Sequence, residues 1–280
     1  MKKRTKAFTI VELLVVMGII ALLLSLALPA FNTVRIKARE VRDKAALNTI
    51  ATALESFSTD MGHYPDSQPR KKLLMQGGFD NTVIDDQGAH ILFESLAGLD
   101  MIGYQKDHHY EVSNAGIPID SAGMETKRYG PYLQLDSVKF GNLMEDNPNY
   151  NSNSNNNNVY DNDNNVFYDT IDPSNALPIL YYRARTTGRT ISDIYNFDDN
   201  LIITEARDDK DNPLHPLFDT QIEFAEYIYD SKTFLTPGFN IDVNPTARPY
   251  KADSFILINP GIDRQYGTQD DICNFTKRDD

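Results

Sequence analysis

Two sets of carboxylates in this chain stand where an acid group can do chemistry. Glu12 lies alone inside an apolar stretch at residues 8–31, behind a basic leader that carries Lys2, Lys3, Arg4 and Lys6. As a helix that stretch is roughly 36 Å long, enough to cross a hydrocarbon core of about 30 Å. An ionised side chain there is costly, so its retention points to a function. The plainer readings are a charge that snorkels to the interface, or an ordinary secretory signal peptide. The second set lies in FILINPGIDRQYGTQDDICNF, residues 255–275. An apolar strand leads through Pro260 and Gly261 to Asp263, and the adjacent pair Asp270 and Asp271 follows. Carboxylates gathered by one loop repel each other unless a cation joins them. Calcium is the ion expected, because it takes about six to eight oxygens at ~2.3–2.6 Å in irregular geometry, whereas magnesium demands an octahedron. A solvated acidic turn is the alternative.

Other candidates are weaker. Asp161, Asp163, Asn165, Asp169 and Asp172 match the ligand spacing of an EF-hand loop, but Val166 stands where the sharp turn needs glycine. His63, His90, His108, His109 and His215 are scattered, with no zinc spacing. The single cysteine, Cys273, permits no internal disulfide and reads as a packed small side chain. No phosphate-binding glycine loop, HExxH, GxSxG or CxxC motif occurs, so nothing positive points to an enzyme.

The elements that must position these groups follow from periodicity. After Pro29, apolar residues Val34, Ala38, Val41, Ala45, Leu47, Ile50, Leu54, Phe57 and Met61 recur at helical spacing, and Gly62 with Pro65 ends the run. One long helix is expected from residue 8 to about residue 60. The stripe is expected to be core, while Arg35, Lys37, Arg39, Arg42 and Lys44 suit an anionic membrane surface. Beyond it, residues 90–99 read as a short helix, 129–135 as a strand, 177–185 as a strand, 221–228 as a helix and 253–258 as a strand. Residues 147–165 are asparagine-rich and read as a mobile loop. The sum is an α+β chain with a small antiparallel sheet. The net charge of −13 and pI near 4.8 argue against a nucleic-acid partner.

The stretch KAFTIVELLVVMGIIALL resembles the N-terminus of type IV prepilins and of type II secretion pseudopilins. The resemblance implies a leader at 1–7, cleavage between Ala7 and Phe8 by a prepilin peptidase, and N-methylation of Phe8. The family usually has glycine where this chain has Ala7. Glu12 then becomes the fifth residue of the mature chain, the position of the family's assembly glutamate. Residues 8–31 are the transmembrane and later filament-core helix, 32–61 its amphipathic continuation, and 62–280 a periplasmic globular domain. The implied fold is pilin-like, a long helix packed on a small antiparallel sheet with extended loops.

Residues 255–275 resemble the C-terminal calcium loop of the G-type major pseudopilin. This implies calcium on Asp263, Asp270 and Asp271, completed by backbone carbonyls near Pro260. The expected role is a single-pass inner-membrane precursor that self-associates into a helical pseudopilus driving protein export. Minor pseudopilins, an assembly ATPase and an inner-membrane platform protein are the implied partners. A type IV or competence pilin is the first alternative. A membrane-tethered periplasmic binding module or enzyme is the second.

Overall fold

The computed structural model describes residues 9–76, 80–106, 119, 123–142, 165–172, 176–204, 220–230 and 247–277. One helix dominates. α1, Ile10–Met61, is 52 residues long, about 78 Å at ~1.5 Å per residue. It stops where expected: Gly62 adopts φ 79° and returns its N–H to the Ser58 carbonyl, a left-handed cap that glycine takes without steric cost.

The rest of the chain is α+β. A three-stranded antiparallel sheet sits at its centre, formed by β7 (Leu180–Arg183), β8 (Phe255–Asn259) and β9 (Ile272–Cys273) in the order β7-β8-β9. Its register runs Leu180↔Ile258 and Tyr182↔Ile256, then Asn259↔Ile272. Alternate residues of a strand face opposite sides, and here both sides are covered. Tyr181, Phe255, Leu257 and Ile272 join Leu47, Ile50, Leu54 and Phe57 of α1, with Leu92, Phe93 and Leu96 of α2 (Gly88–Ala97), in one core. Leu180, Tyr182, Ile256 and Ile258 join Phe224 and Ile228 of α3 (Gln221–Ile228) in a second. The unbroken apolar run FILI is thus the mark of a strand buried on both faces.

Two-stranded pieces surround this centre. β1 (Arg70–Gln76) pairs with β2 (Asp80–Asp86), β3 (Tyr104–Gln105) with β4 (Arg128–Tyr129), and β5 (Phe140–Asn142) with β6 (Asn165–Phe167). The strand expected over 129–135 is cut short at Tyr129. Pro131 has no N–H for a ladder, and the chain goes on to a 3-10 turn at Leu135–Ser137. Of the asparagine-rich segment, only Asn165 lies among the described residues, and it opens β6.

The upper half of the α1 stripe differs from expectation. Val34, Ala38, Val41 and Ala45 are exposed, Val41 to 67%, and core contact begins only at Asp43, Ala46 and Leu47. The domain meets the helix through a polar clasp. Asp43, 1% exposed, accepts the Thr170 N–H at 3.0 Å and its hydroxyl at 2.6 Å, while Arg39 donates to the Ile171 carbonyl at 2.6 Å. Arg39 therefore serves the domain and not a membrane surface. Lys37 and Lys44 both pair with Glu40, at 2.7 and 2.8 Å. Asp43→Ala would leave the Thr170 N–H unsatisfied at the clasp. A loss of about 1–3 kcal/mol is expected, read as a fall of ~3–9 °C in the thermal midpoint by circular dichroism.

Candidate functional site

At the head of α1, Thr9 is the N-cap, in extended conformation at φ −90° and ψ 151°. Its hydroxyl oxygen accepts the Glu12 N–H at 3.2 Å. Glu12 answers by accepting the Thr9 N–H and hydroxyl through Oε2, each at 2.9 Å. This is a capping box, which satisfies orphan amides of the first helical turn and places an anion at the positive end of the helix dipole. Its signature, Thr-x-x-Glu before an apolar run, was open to reading in the sequence. The carboxylate is thus folded back onto the Thr9 N–H at the start of the helix. Ala7 and Phe8 lie outside the described residues.

Below this cap the helix is bare. Ile10, Val11, Leu14, Met17, Leu22 and Leu28 are among the exposed side chains, Ile10 to 82%. No other described part of the chain covers them. Among the described residues no helix is long and apolar enough to cross a membrane; the expected span at 8–31 includes positions 8, 26, 27, 29 and 30, whose side chains lie outside the description.

The C-terminal loop follows β8. Gly261 turns at φ 60°, and a Cβ there would run into the Asp270 backbone carbonyl, so only glycine lets the two ends of the loop meet. Asp270 is the fastener. Its Oδ2 accepts the N–H groups of Ile262 and Asp263 at 2.7 and 2.9 Å, and its Oδ1 accepts the Thr268 hydroxyl at 2.5 Å. Burial works upward on Asp270, but these hydrogen bonds hold it below the ordinary carboxylate range. Asp263 caps the next turn through the Gln265 N–H at 2.9 Å; burial, and then the neighbouring Asp270 charge, push it upward.

Asp271 belongs to a different neighbourhood. Its Oδ2 accepts the Tyr227 hydroxyl of α3 at 2.5 Å and the Gly267 N–H at 2.8 Å. Lys277 Nζ stands 3.8 Å away. Burial pushes this carboxyl up to about 6, against the pull of Lys277, Tyr227 and Gly267. Cys273 lies 3.2 Å from the same Tyr227 oxygen, and burial pushes its thiol up to about 12, the state of a packed rather than a reactive sulfur.

The three aspartates therefore share a loop, with the Thr268 hydroxyl 2.5 Å from Asp270 Oδ1 and 3.4 Å from Asp271 Oδ1. Asp263 and Asp270 are neighbours, while Asp271 turns to α3. Among the described residues no group of three or more His, Cys, Asp or Glu side chains is set to hold a metal ion. Backbone N–H groups already occupy Oδ2 of Asp270 and of Asp271, and the Thr268 hydroxyl meets Oδ1 of each. In this arrangement the residues do not fit a calcium shell. Arg264, at φ 64°, swings away to Asp169 at 3.6 Å. Asp169 itself is fully buried and accepts the N–H groups of Ile171 and Leu177 at 3.1 and 2.9 Å, a turn-forming role in place of the EF-hand spacing. Asp161 and Asp163 of that spacing lie outside the described residues.

The sequence reading missed Asp43, Thr9 and Lys277 as working residues. Only Thr9 carried a local signal. Asp43 acquires its partner from a segment far along the chain, and Lys277 joins nearby Thr268 and Asp271 to the distant Tyr227 ring. His90 is buried in α2, accepts the Gln87 N–H at 3.1 Å through Nδ1, and is pushed down to about 4 by burial; His108, His109 and His215 lie outside the described residues.

No curated protein and no solved structure is significantly similar to the chain. One family does match, over residues 2–28, and it is described as the prokaryotic N-terminal methylation motif. Such a motif implies processing by a prepilin peptidase and assembly into pilus-like filaments. The matched residues end inside the bare apolar helix, with Glu12 among them, so this chain carries the prepilin-type leader of type IV pilin-like proteins.

Proposed function

We propose that the chain is a structural subunit of a type II secretion pseudopilus, inserted in the inner membrane as a precursor and stacked through its apolar helix after cleavage. The observation that carries this reading is the uncovered apolar half of α1 with one carboxylate at its head. Exposed Leu, Ile, Val and Met on this scale are stable only in lipid or against like helices. In lipid the helix stands alone. In a filament the same surface buries against neighbouring copies, and Glu12 of one subunit meets the new amine of another. A register error would leave a buried charge uncompensated, so the pair fixes the axial stagger. The clasp at Asp43 then sets where the domain sits on the rod. Minor pseudopilins, an assembly ATPase and a platform protein are the partners such a subunit needs. The reading gives the chain no catalytic step and needs no metal.

The C-terminal spacing of Asp263, Asp270 and Asp271 supports secretion over a surface fibre. The second reading is a type IV or competence pilin, to which the N-terminal motif at residues 2–28 applies equally. Intact-mass analysis of the native protein tests both. A chain that begins at an N-methylated Phe8 supports them, and one that retains residues 1–7 overturns them. Electron microscopy of cells then separates short periplasmic assemblies from long external fibres.

A further inference from the structure

We propose that the ammonium group of Lys277 is the resident cation of the C-terminal loop, which closes without a bound metal. Three contacts converge on this one group. Lys277 Nζ donates to the Thr268 backbone carbonyl, stands 3.8 Å from Asp271 Oδ2, and lies 4.8 Å from the centre of the Tyr227 ring. A carbonyl, a carboxylate and an aromatic face each attract a cation. The Asp271 side chain is fully buried and that of Lys277 is 17% exposed, so solvent screens their pairing little. Calcium on Asp271 would need an oxygen of the same carboxylate at about 2.3–2.6 Å. A positive charge already placed 3.8 Å from that carboxylate repels it.

The rest of the loop is arranged to match. Asp270 spends its oxygens on the Ile262 and Asp263 amides and the Thr268 hydroxyl. Arg264, on the other strand of the loop, ties it to Asp169 beside the clasp. The clamp also reaches the stalk. Ile272, next to Asp271, packs in the core that contains Ile50 and Leu54 of α1. What Lys277 holds is therefore the seating of β9 against the long helix.

The test uses the full chain in detergent, with thermal unfolding followed by circular dichroism in millimolar calcium chloride and in chelator. The unaltered protein is expected to show midpoints that agree within about 1 °C, since a ligand that does not bind the folded state cannot stabilise it. Lys277→Met is expected to lower the midpoint by about 5 °C or more, because Asp271 is left buried without its partner. Adding Asp271→Asn to Lys277→Met should cost less than the two separate losses together, as for side chains in contact. Calcium raising the unaltered midpoint by several degrees would overturn the proposal. So would strictly additive losses, or a Lys277→Met chain as stable as its parent. If Lys277→Met yields no folded protein, the comparison of calcium with chelator on the unaltered chain decides alone. None of these readouts depends on filament assembly.

Discussion

Glu12→Gln is expected to leave the chain folded and inserted but unable to assemble. The choice of glutamine matters because Glu12 has two roles. One is local: its carboxylate accepts the Thr9 N–H at 2.9 Å and completes the cap of α1. Glutamine keeps that role, since Gln serves as well as Glu at the third position of a capping box. The other role is the charge, which glutamine removes. In a filament the amine at Phe8 would then be buried without a counter-ion, at a cost of about 3–5 kcal/mol for each subunit contact. That is roughly a 10²- to 4 × 10³-fold loss per contact, and a filament repeats it at every step. Cross-linking and sedimentation of assembled material would read the result. Thr9→Ala is the control, because it weakens the cap by about 0.5–2 kcal/mol and keeps the charge. Its assembly should be reduced and not lost. Normal filaments from Glu12→Gln would reduce Glu12 to a helix cap.

The largest effect on stability is expected at Phe57. This ring is 1% exposed near the end of α1. It meets Tyr104 edge-on at 5.1 Å between centroids and Tyr132 at 5.3 Å. Tyr104 belongs to β3, and Tyr132 follows the turn after β4, so one side chain joins the helix to two segments distant in sequence. Phe57→Ala removes the ring and leaves a cavity walled by two aromatic faces that their own backbones hold in place. The expected loss is about 3–5 kcal/mol. Set against a domain stability of about 5–15 kcal/mol, that is a large share. The thermal midpoint should fall by roughly 6–20 °C, with the apolar half of α1 untouched. Phe57→Leu should recover much of the loss. A fall of less than ~2 °C would mean that the domain does not depend on this junction.

What could be read directly from the chain was local. The single long helix was expected over residues 8 to about 60 and occurs as Ile10–Met61, because its determinants are neighbours: apolar spacing, the Gly62 cap and Pro65 beyond. The helix expected at 221–228 occurs as Gln221–Ile228, capped by the Thr220 hydroxyl on the Glu223 N–H at 3.2 Å. The strand in residues 253–258 occurs as Phe255–Asn259. The β1–β2 hairpin went unread although Gly77 and Gly78 separate its two runs, a recognisable turn signal. The strand expected after Tyr129 failed on a rule also written in the sequence, the missing N–H of Pro131.

The acidic loop was half legible. Spacing alone brought Asp263, Asp270 and Asp271 to one turn, and they do share it. It could not say which way each carboxylate points. That depends on Tyr227 and Lys277, which are remote from one another in sequence and meet at Asp271 only when α3 packs beside β9.

By itself, then, the sequence determined the apolar rod, its lone acid, its leader and the point where the helix stops, since each is a property of adjacent residues. Tertiary structure decided how far up that rod the domain reaches, and which donors each C-terminal aspartate meets. Helical periodicity marks an apolar face without naming what covers it. A carboxylate takes whichever donors the fold brings within about 3 Å.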